Sequence, residues 1–165
     1  MSLCQVPLPT IQGKLFLSAM PGRYDPFAQF LTSIEANKVS SVVCLNSMSE
    51  IQVKSALYFQ ALEQGMIPCP VKLMAVPDNG VPQDKQAYLA LVEEIAIQLK
   101  NGSNILVHCG SGIGRTGTFA ISILLVLGEL LEHATAKVAQ AGAGPEVFYQ
   151  KAFVKALADQ IASKT

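Results

Sequence analysis

One decapeptide constrains this chain more than any other stretch: His108-Cys109-Gly110-Ser111-Gly112-Ile113-Gly114-Arg115-Thr116-Gly117. An apolar run, Ile105-Leu106-Val107, leads into it, and a longer one, Phe119 to Leu127, leads out. That order predicts a strand, a tight glycine-rich turn and a buried helix. The glycines at 110, 112 and 114 let backbone N–H groups converge, which makes an anion-binding nest at a helix N-terminus. Cys109 opens the nest and Arg115 closes it. The helix N-terminus, the amides and the guanidinium all favour a thiolate at Cys109. The planar fork of Arg115 suits two oxygens of a tetrahedral oxyanion. A nucleophile inside an oxyanion cradle points to attack on phosphorus.

The rest of the composition narrows the setting. A length of 165 residues, half of them apolar, suits a single domain over residues 1–165, with 1–12 as an extended N-terminal segment. Twelve basic and twelve acidic residues cancel, so no basic field calls for nucleic acid or a membrane surface as partner. Arginine occurs only at Arg23 and Arg115. The four cysteines, Cys4, Cys44, Cys69 and Cys109, show no paired metal-ligand spacing, and neither a metal nor another cofactor is expected. A thiolate nucleophile needs a reducing compartment, which fits a cytoplasmic protein. The N-terminus lacks the charged and apolar regions of a signal peptide. The most apolar run, Phe119 to Leu131, is shorter than the ~20 residues of a membrane span and is interrupted by Gly128 and Glu129.

Taken in order, Leu15 to Ser18 reads as a strand, and Asp25-Pro26 as the cap and first turn of a helix reaching about Lys38. Ser41 to Leu45 reads as a buried strand. The polar turn Asn46 to Ser49 then opens one helix ended by Gly65. Val71 to Val76 is the next strand, Pro77 to Pro82 a loop, and Gln83 to Lys100 a helix. Thr135 to Ser163 reads as two helices parted by Gly142-Ala143-Gly144-Pro145. Strands alternating with helices predict an α/β fold: a three-layer sandwich whose mostly parallel sheet is flanked by helices. Sites in such sheets gather beyond the carboxyl ends of strands, where Asn46, Asp78 and Cys109 all fall. Cys44 and Cys109 end two of those strands, so a protective disulfide between them is an alternative to simple packing of Cys44.

A phosphoester leaving group must gain a proton as it departs, which calls for a carboxylic acid on a movable segment. Asp78, in a loop punctuated by Pro and Gly, is the first candidate. Asp84 is the second, though it suits the first turn of the following helix better.

The decapeptide resembles the signature loop of the cysteine-dependent protein tyrosine phosphatase superfamily. With Leu15 to Gly22 and Asp78 to Pro82, the chain is similar to the cyclin-dependent-kinase-associated phosphatases, a branch of the dual-specificity group, over about residues 14 to 157. That resemblance implies Cys109 as nucleophile, Arg115 as phosphate clamp and Asp78 as general acid. The backbone amides of Gly110, Ser111, Gly112, Ile113, Gly114 and Arg115 would complete a cradle that phosphate, sulfate or vanadate can occupy. It further implies that Thr116 donates a hydrogen bond to the cysteine sulfur, that His108 fixes the loop backbone, and that Gln150 orients the hydrolytic water. A surface helix position is the plainer reading of Gln150. The arginines that many dual-specificity members carry before that glutamine are replaced here by Val138 to Gly142, and Arg23-Tyr24 matches only a fragment of a phosphotyrosine-recognition loop.

The implied activity is metal-independent hydrolysis of phosphotyrosine, phosphoserine or phosphothreonine in a phosphoprotein or phosphopeptide. A phosphatase of small molecules such as inositol phosphates or nucleotides is the alternative, although the loop positions 110 to 114 carry no Lys or Arg for a polyanionic headgroup. A phosphoprotein-binding module without turnover ranks below both, and a sulfurtransferase is disfavoured by Arg115-Thr116-Gly117.

Overall fold

The computed structural model describes all residues, Met1 to Thr165. The Ile105 run becomes a central strand because every residue of it is buried, with helices covering both faces of the sheet. Five strands are present: β1 (Cys4–Val6), β2 (Leu15–Ser18), β3 (Ser41–Cys44), β4 (Val71–Leu73) and β5 (Ile105–His108). Their order across the sheet is β1-β2-β5-β3-β4. The β2, β5, β3 and β4 strands are parallel, and only β1 is antiparallel, along the edge of β2.

Alternation along β5 divides its side chains between two cores. Ile105, Val107 and Cys109 join the larger cluster, beneath α4 (Lys85–Lys100), α5 (Gly114–Val126), α6 (Leu131–Gln140) and α7 (Phe148–Ser163). Leu106 joins the smaller one, beneath α1 (Phe27–Ala36), α2 (Met48–Lys54) and α3 (Ala56–Glu63). The α5 helix is buried on almost every side, which is why its sequence shows no polar face. No helix is long and apolar enough to cross a membrane.

Several element boundaries differ from the sequence reading. Residues 4–6 lie inside the segment expected to be extended but pair with β2 as a short edge strand. The helix after Asp25 begins at Phe27, because Pro26 keeps an extended ψ of 135° and Asp25 supplies no cap. The helix expected to run from Ser49 to Gly65 is two helices, broken at Ser55. There the backbone turns extended and the Ser55 hydroxyl donates to the carbonyl of Pro21, 2.7 Å away. The α6 helix begins at Leu131, earlier than the expected Thr135.

Because β5 lies between β2 and β3, the loops leaving all three parallel strands open on the same edge as the loop leaving β4. The signature loop sits at the middle of that edge.

Candidate active site

The loop from Cys109 to Ile113 is anchored from both sides. Met20 donates its backbone N–H to the Gly110 carbonyl at 3.3 Å, and Gly144 donates to the Ile113 carbonyl at 3.1 Å. Gly112 takes φ +78°, and a Cβ there would lie 2.5 Å from the Ser18 carbonyl, so both its conformation and its closeness to β2 require glycine. Gly110 and Gly114 are buried, whereas Ser111 and Ile113 face outward. The Cys109 side chain is buried at the head of the loop, with α5 starting at Gly114.

His108 secures the floor. Its Nδ1 lies 3.3 Å from the Cys109 carbonyl and its Nε2 lies 2.9 Å from the Tyr58 hydroxyl. A carbonyl can only accept, so Nδ1–H donates to it and Nε2 accepts from Tyr58. Complete burial is the main cause that pushes the His108 pKa down to about 4, so the ring is neutral in that arrangement.

Arg115 is almost fully buried, and its charge is matched by a residue that sequence reasoning missed. Glu50, in the first turn of α2, accepts from both terminal nitrogens of Arg115 at 2.8 Å each. Arg115 Nη1 also donates to the Val76 carbonyl at 3.0 Å. These hydrogen bonds from Arg115 hold the Glu50 carboxyl far below the usual carboxylate range, against the effect of its own burial. Burial opposes the charge on Arg115, but Glu50, Cys109 and Asp78 more than offset it, and its pKa is raised. The available sequence signal was Ser47-x-x-Glu50, a capping-box pattern that offers a local role for the carboxylate. Only the first half of that box forms: Glu50 N–H donates to the Ser47 hydroxyl at 3.2 Å, while the Glu50 carboxylate points to Arg115.

Asp78 reaches the same guanidinium from the other side. Its Oδ1 is 3.2 Å from Arg115 Nη2, although its side chain remains 66% exposed. The loop carrying it is folded by a Gly80 N–H to Pro77 carbonyl bond of 2.9 Å. Gln150 is buried rather than on the surface, and its Nε2 donates to the Gly80 carbonyl at 3.2 Å. Its Oε1 accepts from the Glu146 backbone at 2.9 Å, so the amide ties the Asp78 loop to the start of α7. Asp84 lies away from this group and caps α4, accepting from the Ala87 N–H at 3.0 Å.

Two further expectations have structural answers. The Thr116 hydroxyl is buried without a hydrogen-bond partner, so the donation to sulfur implied by the resemblance is not made in this structure. Thr116 is the third residue of α5, and its i−4 position, Gly112, lies outside the helix; Thr118 does find such a carbonyl, at Gly114. Cys44 is the register partner of His108, so adjacency of the two strands holds. Cys44, however, packs in the smaller core while Cys109 belongs to the larger one. Burial pushes the Cys44 thiol up to about 12.

The fold is similar to that of a crystal structure of kinase associated phosphatase with its catalytic cysteine replaced by serine. The TM-score is 0.83 at 19% identity, covering 99% of this chain and 97% of that one. A crystal structure of Tk-PTP in the active form matches with a TM-score of 0.69 at 23% identity, covering 93% and 99%. In sequence, 65 residues are 43% identical to receptor-type tyrosine-protein phosphatase V of Rattus norvegicus, covering 38% of this chain. The chain spans 4–6% of the length of the first curated relatives it matches. A family model described as "Polymorphic toxin system, DSP-PTPase phosphatase" matches residues 18–129, a span that runs from the last residue of β2 through the Asp78 loop and the whole signature loop. The chain belongs to that DSP-PTPase phosphatase family.

Proposed function

We propose that this chain hydrolyses phosphomonoesters of phosphoproteins through a cysteinyl-phosphate intermediate, with phosphotyrosine as the main substrate. The observation that carries the reading is Arg115, whose guanidinium is held by Glu50 on one side, met by Asp78 on another, and placed in the loop that Cys109 opens. With Nη1 taken by Glu50 and Val76, the Nε–H of Arg115 has no protein partner and its second Nη2–H faces Asp78. An incoming phosphoryl group takes these two donors together with the loop amides. It thereby displaces Asp78 from Arg115 toward the ester oxygen.

The Cys109 thiolate then attacks phosphorus. A P–S bond forms, the P–O ester bond breaks, and protonated Asp78 gives its proton to the departing oxygen. In the second half, water attacks the phosphocysteine, Asp78 carboxylate takes the water's proton, the P–S bond breaks, and inorganic phosphate leaves. Gln150, held against the Asp78 loop, acts by positioning that loop. Residues 1–165 serve as one phosphatase domain, working in a reducing compartment such as the cytoplasm, where Cys109 stays reduced.

Cys109→Ser tests the mechanism. Turnover of p-nitrophenyl phosphate should disappear while vanadate still binds, because the amide cradle and Arg115 are intact, and a chelator should leave wild-type activity unchanged. Substantial turnover in Cys109→Ser would remove the proposed nucleophile. Small-molecule substrates such as inositol phosphates become the better reading if they outrun phosphotyrosine peptides.

A further inference from the structure

We propose that Arg23 forms a second anion subsite beside the signature loop, recognising an acidic side chain that flanks the phosphorylated residue of a peptide substrate. The proposal rests on the phosphatase reading above. The chain has two arginines, Arg23 and Arg115, and both reach Gly110. Nη1 of Arg23 and Nη2 of Arg115 each lie 3.1 Å from where a Cβ on Gly110 would sit, and Oε1 of Glu50, the partner of Arg115, lies 3.2 Å from it. The missing side chain is therefore what admits both cations.

The two arginines differ in how their charge is met. Arg115 is neutralised by Glu50, whereas the Arg23 side chain makes no ion pair and no hydrogen bond. Its one close partner is the exposed ring of Tyr24, with the guanidinium carbon 4.7 Å from the ring centroid. That stacking orients the fork without neutralising it. The backbone beneath is fixed. Arg23 N–H donates to the Met20 carbonyl at 3.2 Å, and Met20 N–H donates in turn to Gly110. Ser55 holds the Pro21 carbonyl, and Gly22 takes φ +76° to close the turn.

A half-buried guanidinium set beside another and left unpaired favours an anion between or beside them. The scissile phosphoryl is already served by Arg115 and the loop amides, so the group Arg23 takes is a different one. A carboxylate fits its fork bidentately. At the other end of the loop the carboxylate of Glu146 lies against Gly114, so the unpaired cation, Arg23, stands at the Gly110 end and a carboxylate at the Gly114 end, Glu50 near Gly110 being taken up by Arg115. That polarity favours an acidic residue on one flank of the phosphorylated residue and disfavours a molecule bearing phosphates all round.

The test compares kcat/KM for three phosphotyrosine peptides: Asp on the N-terminal flank, Asp on the C-terminal flank, and Ala on both. One acidic peptide should be preferred about fivefold through a lower KM, the scale of a single partly exposed ion pair. Arg23→Ala should erase that preference, Arg23→Lys should keep part of it, and raised salt should shrink it. The proposal fails if wild type shows no flank preference, if Arg23→Ala keeps it, or if Arg23→Ala lowers kcat equally on all three. It also fails if inositol polyphosphates are turned over faster than every peptide and that advantage depends on Arg23. Wild-type turnover of p-nitrophenyl phosphate separates the two readings. Its absence defeats the phosphatase assignment, whereas its presence without a flank preference defeats only Arg23.

Discussion

Arg115 and Asp78 lie within reach of each other, yet the protein holds them in opposite ways. The guanidinium is buried, gripped by both oxygens of Glu50 and by the Val76 carbonyl, and rooted in a helix that is itself core. The carboxylate stands on a turn between β4 and α4, mostly exposed, and its loop is tied down by little more than the Pro77–Gly80 turn and Gln150. The difference corresponds to two tasks. An oxyanion is recognised best by donors that do not reorganise when charge develops. An acid that must first be displaced from Arg115 and then meet a leaving group needs freedom to move.

Removing Glu50 is the strongest challenge to the first half of that contrast. Glu50→Gln keeps the shape but leaves Arg115 as a buried cation with a neutral partner. We expect kcat/KM on p-nitrophenyl phosphate to fall about 10²–10³-fold, the scale of losing a preorganised oxyanion donor. Stability should fall by about 3 kcal/mol, the lower end for breaking a buried ion pair from one side, since Glu50 keeps some exposure. Vanadate affinity measured alongside must weaken with kcat/KM. Unchanged vanadate binding in a folded variant would mean that Glu50 supports the fold and not the grip of Arg115.

Asp78→Asn probes the other half and should leave a different signature. We expect kcat to drop about 10²-fold on substrates with poor leaving groups, the usual scale of general acid catalysis, and less on activated aryl phosphates. Vanadate affinity should not weaken, because the Asp78 contact competes for a donor that the anion uses. An equal loss across leaving groups, or a loss of vanadate binding like that of Glu50→Gln, would make Asp78 part of the rigid grip and abolish the contrast.

What could be read beforehand follows the range of the interactions. The turn from β5 into α5 was legible because its glycines, its apolar flanks and its Cys109-to-Arg115 spacing are all local. Asp84 was legible as a helix-start residue for the same reason. Glu50 was not: its partner is 65 residues away, and the local Ser47 pattern offered a sufficient explanation of the carboxylate. The break at Ser55 escaped notice because it is fixed by the Pro21 carbonyl, 34 residues upstream. The β1 strand was hidden because Cys4 and Gln5 are exposed and only Val6 enters the core, so a three-residue edge strand carried almost no pattern. Gln150 looked like a helix surface because its burial comes from Gly80 on a distant loop.

The smallest expected effect concerns the floor beneath the rigid half, and it is read in stability. His108 is neutral between the Cys109 carbonyl and the Tyr58 hydroxyl, with its pKa lowered from 6.5 to about 4, first by burial. Between those values the unfolded chain binds a proton that the folded chain refuses, so stability rises with pH. Stability from this source is full above about pH 6.5 and drains away as pH falls toward 4, the loss reaching about 3 kcal/mol at the end of that window. The stability that Glu50 contributes is also lost in acid, but that loss starts only as pH falls through the ordinary carboxylate value of 4.5, so the interval from pH 6.5 to 5 reports mainly on the histidine. In His108→Gln the amide can donate to Cys109 and accept from Tyr58 without titrating. Urea unfolding from pH 7 to 5 should show a falling midpoint in wild type and a nearly level one in the variant. Parallel slopes would assign the acid sensitivity to other groups and leave His108 as packing alone.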